Sequence, residues 1–180
     1  MIRDEDLKSS VDYSEGQKRA AHRVLVELVN IFEEYEDEIR VVGGWVPDLM
    51  FPKEGHVGSV EAERPDGAID VANVSVVAVV PYLIMKTAAM GRGKAKDAYD
   101  IYFIIKHYIG GVRELAKEFE PVRDKNIVIE AKDKLAGKFA SENHAGPKDV
   151  VDFMDLEDEE SIEMTRRDAY EQVQALLNLI

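Results

Sequence analysis

The sequence predicts an α/β protein of the α+β type, with its strands in the first eighty residues and a helical carboxyl-terminal half. Two patterns carry this. Between Ile39 and Val80 the chain is rich in valine and punctuated by Gly43, Gly44, Pro47, Pro52, Gly55, Gly58, Pro65 and Gly67, whereas from Tyr82 onward apolar residues recur at helical steps of three and four. The balance of 46% apolar and 33% charged residues over 180 is that of one globular domain, read as an α/β part over 1–80 and a helical part over 81–180.

The elements follow in order. From Ser14, Ala21, Leu25, Leu28 and Phe32 mark an amphipathic helix, and Ser14 with Gln17 three residues on forms a capping box. The helix ends in an acidic run at 33–38. Ile39 to Val42 then reads as a strand delivering Gly43-Gly44, and Pro47 to Pro65 as loop or interrupted strand. Asp66-Gly67 signals a hairpin, and Ala68 to Val80, valine-rich with little helical period, reads as strand. Helices are expected over 82–90, 95–108, 112–119, 125–139 and 161–179, the last with Met164, Ala169, Val173, Leu176 and Leu177 as core positions. Ser141 to Pro147 reads as a loop, and 152–163 as a solvated acidic stretch and helix start.

Charge and composition exclude several function classes. With 23 basic against 36 acidic side chains the net charge is −13, which argues against a general nucleic-acid coat. The longest nearly uncharged stretch, Val74 to Met85, falls well short of the roughly 20 residues that span a bilayer, so no membrane partner is expected. The acidic first ten residues lack the features of a signal peptide, which places the protein in the cytoplasm. Without cysteine, any metal must be held by oxygen or imidazole. The four histidines show no ligand spacing.

Three constellations could carry chemistry. Val41-Val42-Gly43-Gly44-Trp45 is a strand followed by glycines, which lets backbone amides approach a phosphate; it is equally a tight strand-to-helix turn. Gly58-Ser59-Val60-Glu61-Ala62-Glu63 would put Glu61 and Glu63 on one side of a strand, a hard oxygen pair suited to Mg²⁺, although acids are common enough here for such pairs to arise by chance. Lys86 is followed by a local basic cluster, Arg92, Lys94 and Lys96, entering a helix that carries Asp97 and Asp100 on one face. Cations at a helix start oppose its dipole, which suggests triphosphate or RNA contact; the alternative is a solvated loop with first-turn acids.

In this order the three segments resemble the AbiEii/AbiGii toxin-like nucleotidyltransferases, a branch of the polymerase-β-like nucleotidyltransferase superfamily. Val-Val-Gly-Gly-Trp at 41–45 is similar to that family's opening strand and glycine motif, and Gly-His-Val-Gly-Ser-Val-Glu-Ala-Glu at 55–63 to its acid-x-acid block. Lys86 resembles the family lysine, and Lys-Asp-Ala-Tyr-Asp-Ile-Tyr at 96–102 its Lys-Asp-x-x-Asp helix. Gly146-Pro147, Asp152-Phe153 and the 166–173 segment resemble its tail. The resemblance implies a mixed sheet flanked by helices that holds Mg²⁺ and a nucleoside triphosphate and transfers a nucleotide to tRNA, another RNA or a protein, with an antitoxin partner in toxin members. It implies nucleotide contacts from Gly43, Gly44, Ser59, Lys86, Arg92, Lys94 and Lys96, metal ligation by Glu61 and Glu63, and a catalytic set of Glu61, Glu63, Lys86 and Asp97.

The chain departs from the family pattern twice. Glutamates stand where aspartates are usual, and Arg64-Pro65 and the Asp66-Gly67 turn follow almost at once, so the sheet looks internally shortened, with Asp70 a weak substitute for a further acid. The alternative reading is therefore a catalytically inactive, shortened nucleotidyltransferase that acts as a partner-binding module. A third is a regulatory helical module whose acidity suits a basic partner. A shortened sheet leaves an unpaired edge, which a homodimer would cover.

Overall fold

The computed structural model describes residues 10, 14–35, 38–51, 58–64 and 66–180. It is a mixed α/β fold, mostly helical, whose described residues form two compact units, 14–78 and 79–180, with Ser10 in the second. Gly55, His56 and Val57 of the acid-x-acid block, and Pro52 and Pro65, lie outside the described residues.

In the first unit, α1 spans Glu15–Ile31 and opens with the expected capping box: the Gln17 amide donates to Ser14 Oγ, and the Ser14 amide donates to Gln17 Oε1 at 2.8 Å. A short helix, α2, follows at Val46–Met50, then β1 at Ser59–Glu63 and β2 at Ile69–Asn73. The strands pair antiparallel, with Glu61 opposite Val71 and Glu63 opposite Ile69, around the Asp66-Gly67 turn, where Gly67 adopts φ +84° and Asp66 Oδ1 accepts from the Ala68 amide. Val60, Ala62 and Ala72 alternate inward and join Val26, Leu49 and Val74 in a small core.

Several expectations are corrected here. The mixed sheet is, among the described residues, this antiparallel pair plus a single parallel bridge between Val41 and Val76. The strand expected to run to Val80 stops at Asn73 because Val79 and Val80 begin a helix. Pro81 sits in that helix's first turn, where a missing N–H breaks no intrahelical bond. Pro47 likewise opens α2 within the segment read as loop or strand. Leu28 and Phe32 are exposed; α1 turns Val26 inward, with Leu25 and Val29 packed beside it, so the core stripe lies to one side of the expected one.

The second unit is a bundle of α3 (Val79–Ala89), α4 (Ala95–His107), α5 (Val112–Phe119), α6 (Asn126–Lys138), α7 (Ala145–Met154) and α8 (Glu159–Leu177). α4 lies against α3, α7 and α8, and α6 against α3 and α8. Leu83, Ile101, Ile104, Leu115, Phe139, Val150, Val173 and Leu176 are fully buried between them. α7 was not expected: Pro147 again occupies a first turn, and the helix ends at Asp155 in a left-handed cap. α8 starts at an Asp158 cap accepting from the Ser161 amide, two residues earlier than expected, and Met164 points to solvent.

Candidate functional site

The densest charge constellation lies in the second unit, on α3, α4 and the turn between them. A 3₁₀ turn at Met90–Arg92 ends at Gly93, in the left-handed region at φ +76°, and Lys94 caps α4 in an extended conformation with no side-chain cap bond. This places Asp97 and Asp100, one helical turn apart, over the Lys86 side chain of α3. Lys86 Nζ donates to Asp97 Oδ1 at 2.9 Å and sits 2.6 Å from Asp100 Oδ2, the latter an ion pair and not an aligned hydrogen bond. All three residues are buried, the two aspartates at 2% and 1% exposure. The outer oxygens are met from the rim: the Arg92 guanidinium reaches Asp97 Oδ2 at 3.2 Å, and Lys96 Nζ reaches Asp100 Oδ1 at 2.9 Å. Lys86 also lies 5.8 Å from the Tyr82 ring, and Lys96 5.2 Å from that of Phe153.

The electrostatics fix the protonation of the lysine. Burial pulls the Lys86 ammonium toward its neutral form, but Asp100 and then Asp97 outweigh it, and its pKa lies above the ordinary lysine value. Three cationic side chains, Lys86, Arg92 and Lys96, surround the two aspartates. Of the solvated-loop alternative, Asp97 does lie in the first turn and Arg92 and Lys94 are exposed, but the two aspartates are buried. Asp100, on the same helical face as Asp97 but outside the catalytic set the resemblance implies, shares Lys86 with it.

The remaining expected residues lie in the first unit. Gly43 (φ +91°) and Gly44 form a turn whose Gly43 carbonyl accepts from the Val46 amide, leading into α2. Ser59 opens β1 opposite Asn73. Glu61 and Glu63 do project to one side of β1, and that side is the exposed face of the hairpin. Asp70 Oδ2 accepts from Arg64 Nε at 2.7 Å and its other oxygen pairs with the same guanidinium, so this acid is already engaged. Among the described residues no group of three acids or histidines is placed to hold a metal ion. Two carboxylates nevertheless suffice for a Mg²⁺ ion that keeps its waters and takes substrate phosphates.

The chain matches no family model, no curated protein and no solved structure. The site therefore rests on its own chemistry.

A second, half-buried cluster lies outside the residues the sequence singles out. Tyr102 donates to Asp168 Oδ2 at 2.6 Å, and Lys106 Nζ reaches both the Tyr102 hydroxyl at 2.7 Å and the same carboxylate oxygen at 2.6 Å, which ties α4 to α8. Burial first, then the hydrogen bond to Asp168, pushes the Tyr102 phenol up to about 12. A phenol so hard to ionise serves packing and is poorly suited to act as a base at neutral pH. Among the described residues no helix is long and apolar enough to cross a membrane.

Proposed function

We propose that this chain is a nucleotide-binding protein of the nucleotidyltransferase type, similar to the AbiEii family, in which the positive rim at the start of α4 receives the phosphates of a nucleoside triphosphate. The observation that supports this is the buried Lys86, held between Asp97 and Asp100 with Arg92 and Lys96 on their outer oxygens. Burying the three charged groups Lys86, Asp97 and Asp100 together costs more than an apolar contact of equal size, so a purely structural role is a poor reason for it. The excess positive charge beside the first turn of α4 suits a polyphosphate. In this reading Arg92, Lys94 and Lys96 bind phosphate oxygens, and Lys86 holds the two aspartates in place. Glu61 and Glu63, in the other unit, would hold Mg²⁺ on the resemblance alone, and the ion would supply charge neutralisation to a departing pyrophosphate. RNA or protein as acceptor, and an antitoxin as partner, follow from the resemblance alone.

A second reading has its own observation. Among the described residues the sheet is a hairpin, Glu61 and Glu63 are exposed, Asp70 is bound to Arg64, and no third carboxylate joins the pair to hold a metal. This favours a shortened, catalytically silent nucleotidyltransferase fold. Calorimetric titration of the protein with each nucleoside triphosphate, in Mg²⁺ and then in EDTA, separates the two. Binding that needs Mg²⁺, is lost in Glu61→Ala/Glu63→Ala and weakens in Arg92→Ala/Lys94→Ala supports the first. No binding of millimolar nucleotide by the folded protein leaves the second.

A further inference from the structure

Helix α1 is apolar on two sides. One stripe, Leu25, Val26 and Val29, enters the core of the first unit. The other runs through Ala21, Val24, Leu28 and Ile31 at steps of three, four and three, the spacing of a coiled-coil seam, in which apolar residues recur every 3.5 positions. That second stripe meets solvent: Val24 is 54% exposed, Leu28 44% and Ile31 72%, with Phe32 and Tyr35 exposed just beyond. A helix apolar on two faces is expected to be covered on both, and so large an apolar stripe on a protein surface marks an interaction site.

The charges beside the seam select its occupant. Glu27 precedes Leu28 on the helix and is exposed, and just past the end of α1 Glu33, Glu34 and Glu38 are exposed too, so the carboxyl end of this face is acidic. A second copy of α1 meets this badly. Antiparallel pairing centred on the seam would set Glu27 against Glu27, and parallel pairing would set it against Phe32. We infer that the solvent face of α1, Val24, Leu28 and Ile31, with Glu27 beside it and Glu34 just past its end, docks an amphipathic helix of a partner protein whose apolar seam is flanked by lysine or arginine. This inference stands apart from the nucleotide reading, which involves none of these residues.

Two synthetic helical peptides of about four heptads test it, both with leucine at the seam positions, one flanked by lysine and the other by glutamate. The full chain is titrated with each by fluorescence anisotropy. The lysine-flanked peptide is expected to bind at least about tenfold more tightly. Leu28→Ser/Ile31→Ser is expected to abolish that binding, and Glu27→Lys/Glu34→Lys to transfer the preference to the glutamate-flanked peptide. The second variant keeps every apolar residue, so the test stands even if the serine variant fails to fold. Equal binding of both peptides, binding of the basic peptide that survives the serine pair, or failure of charge reversal to switch the preference would overturn the inference. So would a dimer of the chain in sedimentation equilibrium that the serine pair dissolves, which would assign the face to a second copy.

Discussion

The two units solve opposite problems with their surplus chemistry. In the 79–180 unit six helices bury a broad aliphatic core, and that core is large enough to hold charges inside it: Lys86, Asp97 and Asp100 are all buried. In the 14–78 unit α1, the short α2 and one hairpin enclose a core of few residues, and apolar side chains are left outside, Ile69 and Val71 on β2 as well as the α1 stripe. Surface-to-volume scaling makes this the ordinary outcome for so short a segment. The lesson is that an informative residue in each unit is the one its core should reject: charge inside the large one, apolar surface outside the small one.

The comparison breaks first at Lys86. Replacing it by methionine keeps the bulk but leaves two carboxylates buried without their shared cation, and removing one partner of a buried pair costs about 3–5 kcal/mol. The expected result is a large fall in the urea midpoint followed by far-UV circular dichroism. Adding Asp97→Asn and Asp100→Asn to the methionine variant should recover part of the loss. A loss below about 1 kcal/mol would put the network on a par with surface pairs and remove the argument from its burial. The single tryptophan, Trp45, reports the 14–78 unit separately through its fluorescence.

A smaller effect sharpens the packing side. Gly146 lies in the first turn of α7, and a Cβ there would come within 2.7 Å of the Phe139 ring and 2.8 Å of the Lys138 carbonyl oxygen. The ring is fully buried and the carbonyl is backbone, so neither can yield cheaply. Gly146→Ala is expected to cost about 1–3 kcal/mol by overpacking. Gly137→Ala, also helical and with nothing near its Cβ, is the matched control and should be neutral or stabilising.

Much of this molecule was legible in its sequence, and the failures share a cause. The Ser14 capping box, the Asp66-Gly67 hairpin and the helices around Ala95, Val112 and Asn126 follow from local signals that tertiary packing leaves alone. Three of the misplaced starts are proline-linked: Pro47 and Pro147 fall in segments that read as loop and Pro81 falls just ahead of the expected helix, yet each stands in a helical first turn, where proline is tolerated. On α1 the periodicity was real but belonged to two stripes, and a pattern drawn through Ala21, Leu25, Leu28 and Phe32 took residues from both. For the site, the spacing of Asp97 and Asp100 put them on one face. Their burial over Lys86 depends on how α3 packs against α4, which no local pattern encodes.

The smallest expected effect compares two charge clusters within the helical unit. The Lys86 network is dry, whereas Lys106 and Asp168 keep 41% and 32% of their side-chain surface in water, so the second pair should contribute about 1 kcal/mol or less. Burial alone would raise the Asp168 carboxyl, but hydrogen bonds from Lys106 and Tyr102 outweigh it and hold the group below the ordinary carboxylate value. A lowered folded-state pKa stabilises the protein above the unfolded value, near pH 4, and that contribution disappears as pH falls through the folded one. Asp168→Asn should therefore lower the urea midpoint slightly at pH 7, and the gap from the parent should close as both are titrated toward pH 3. A gap that widened on acidification would show that Asp168 is destabilised by its burial more than it is held by its partners.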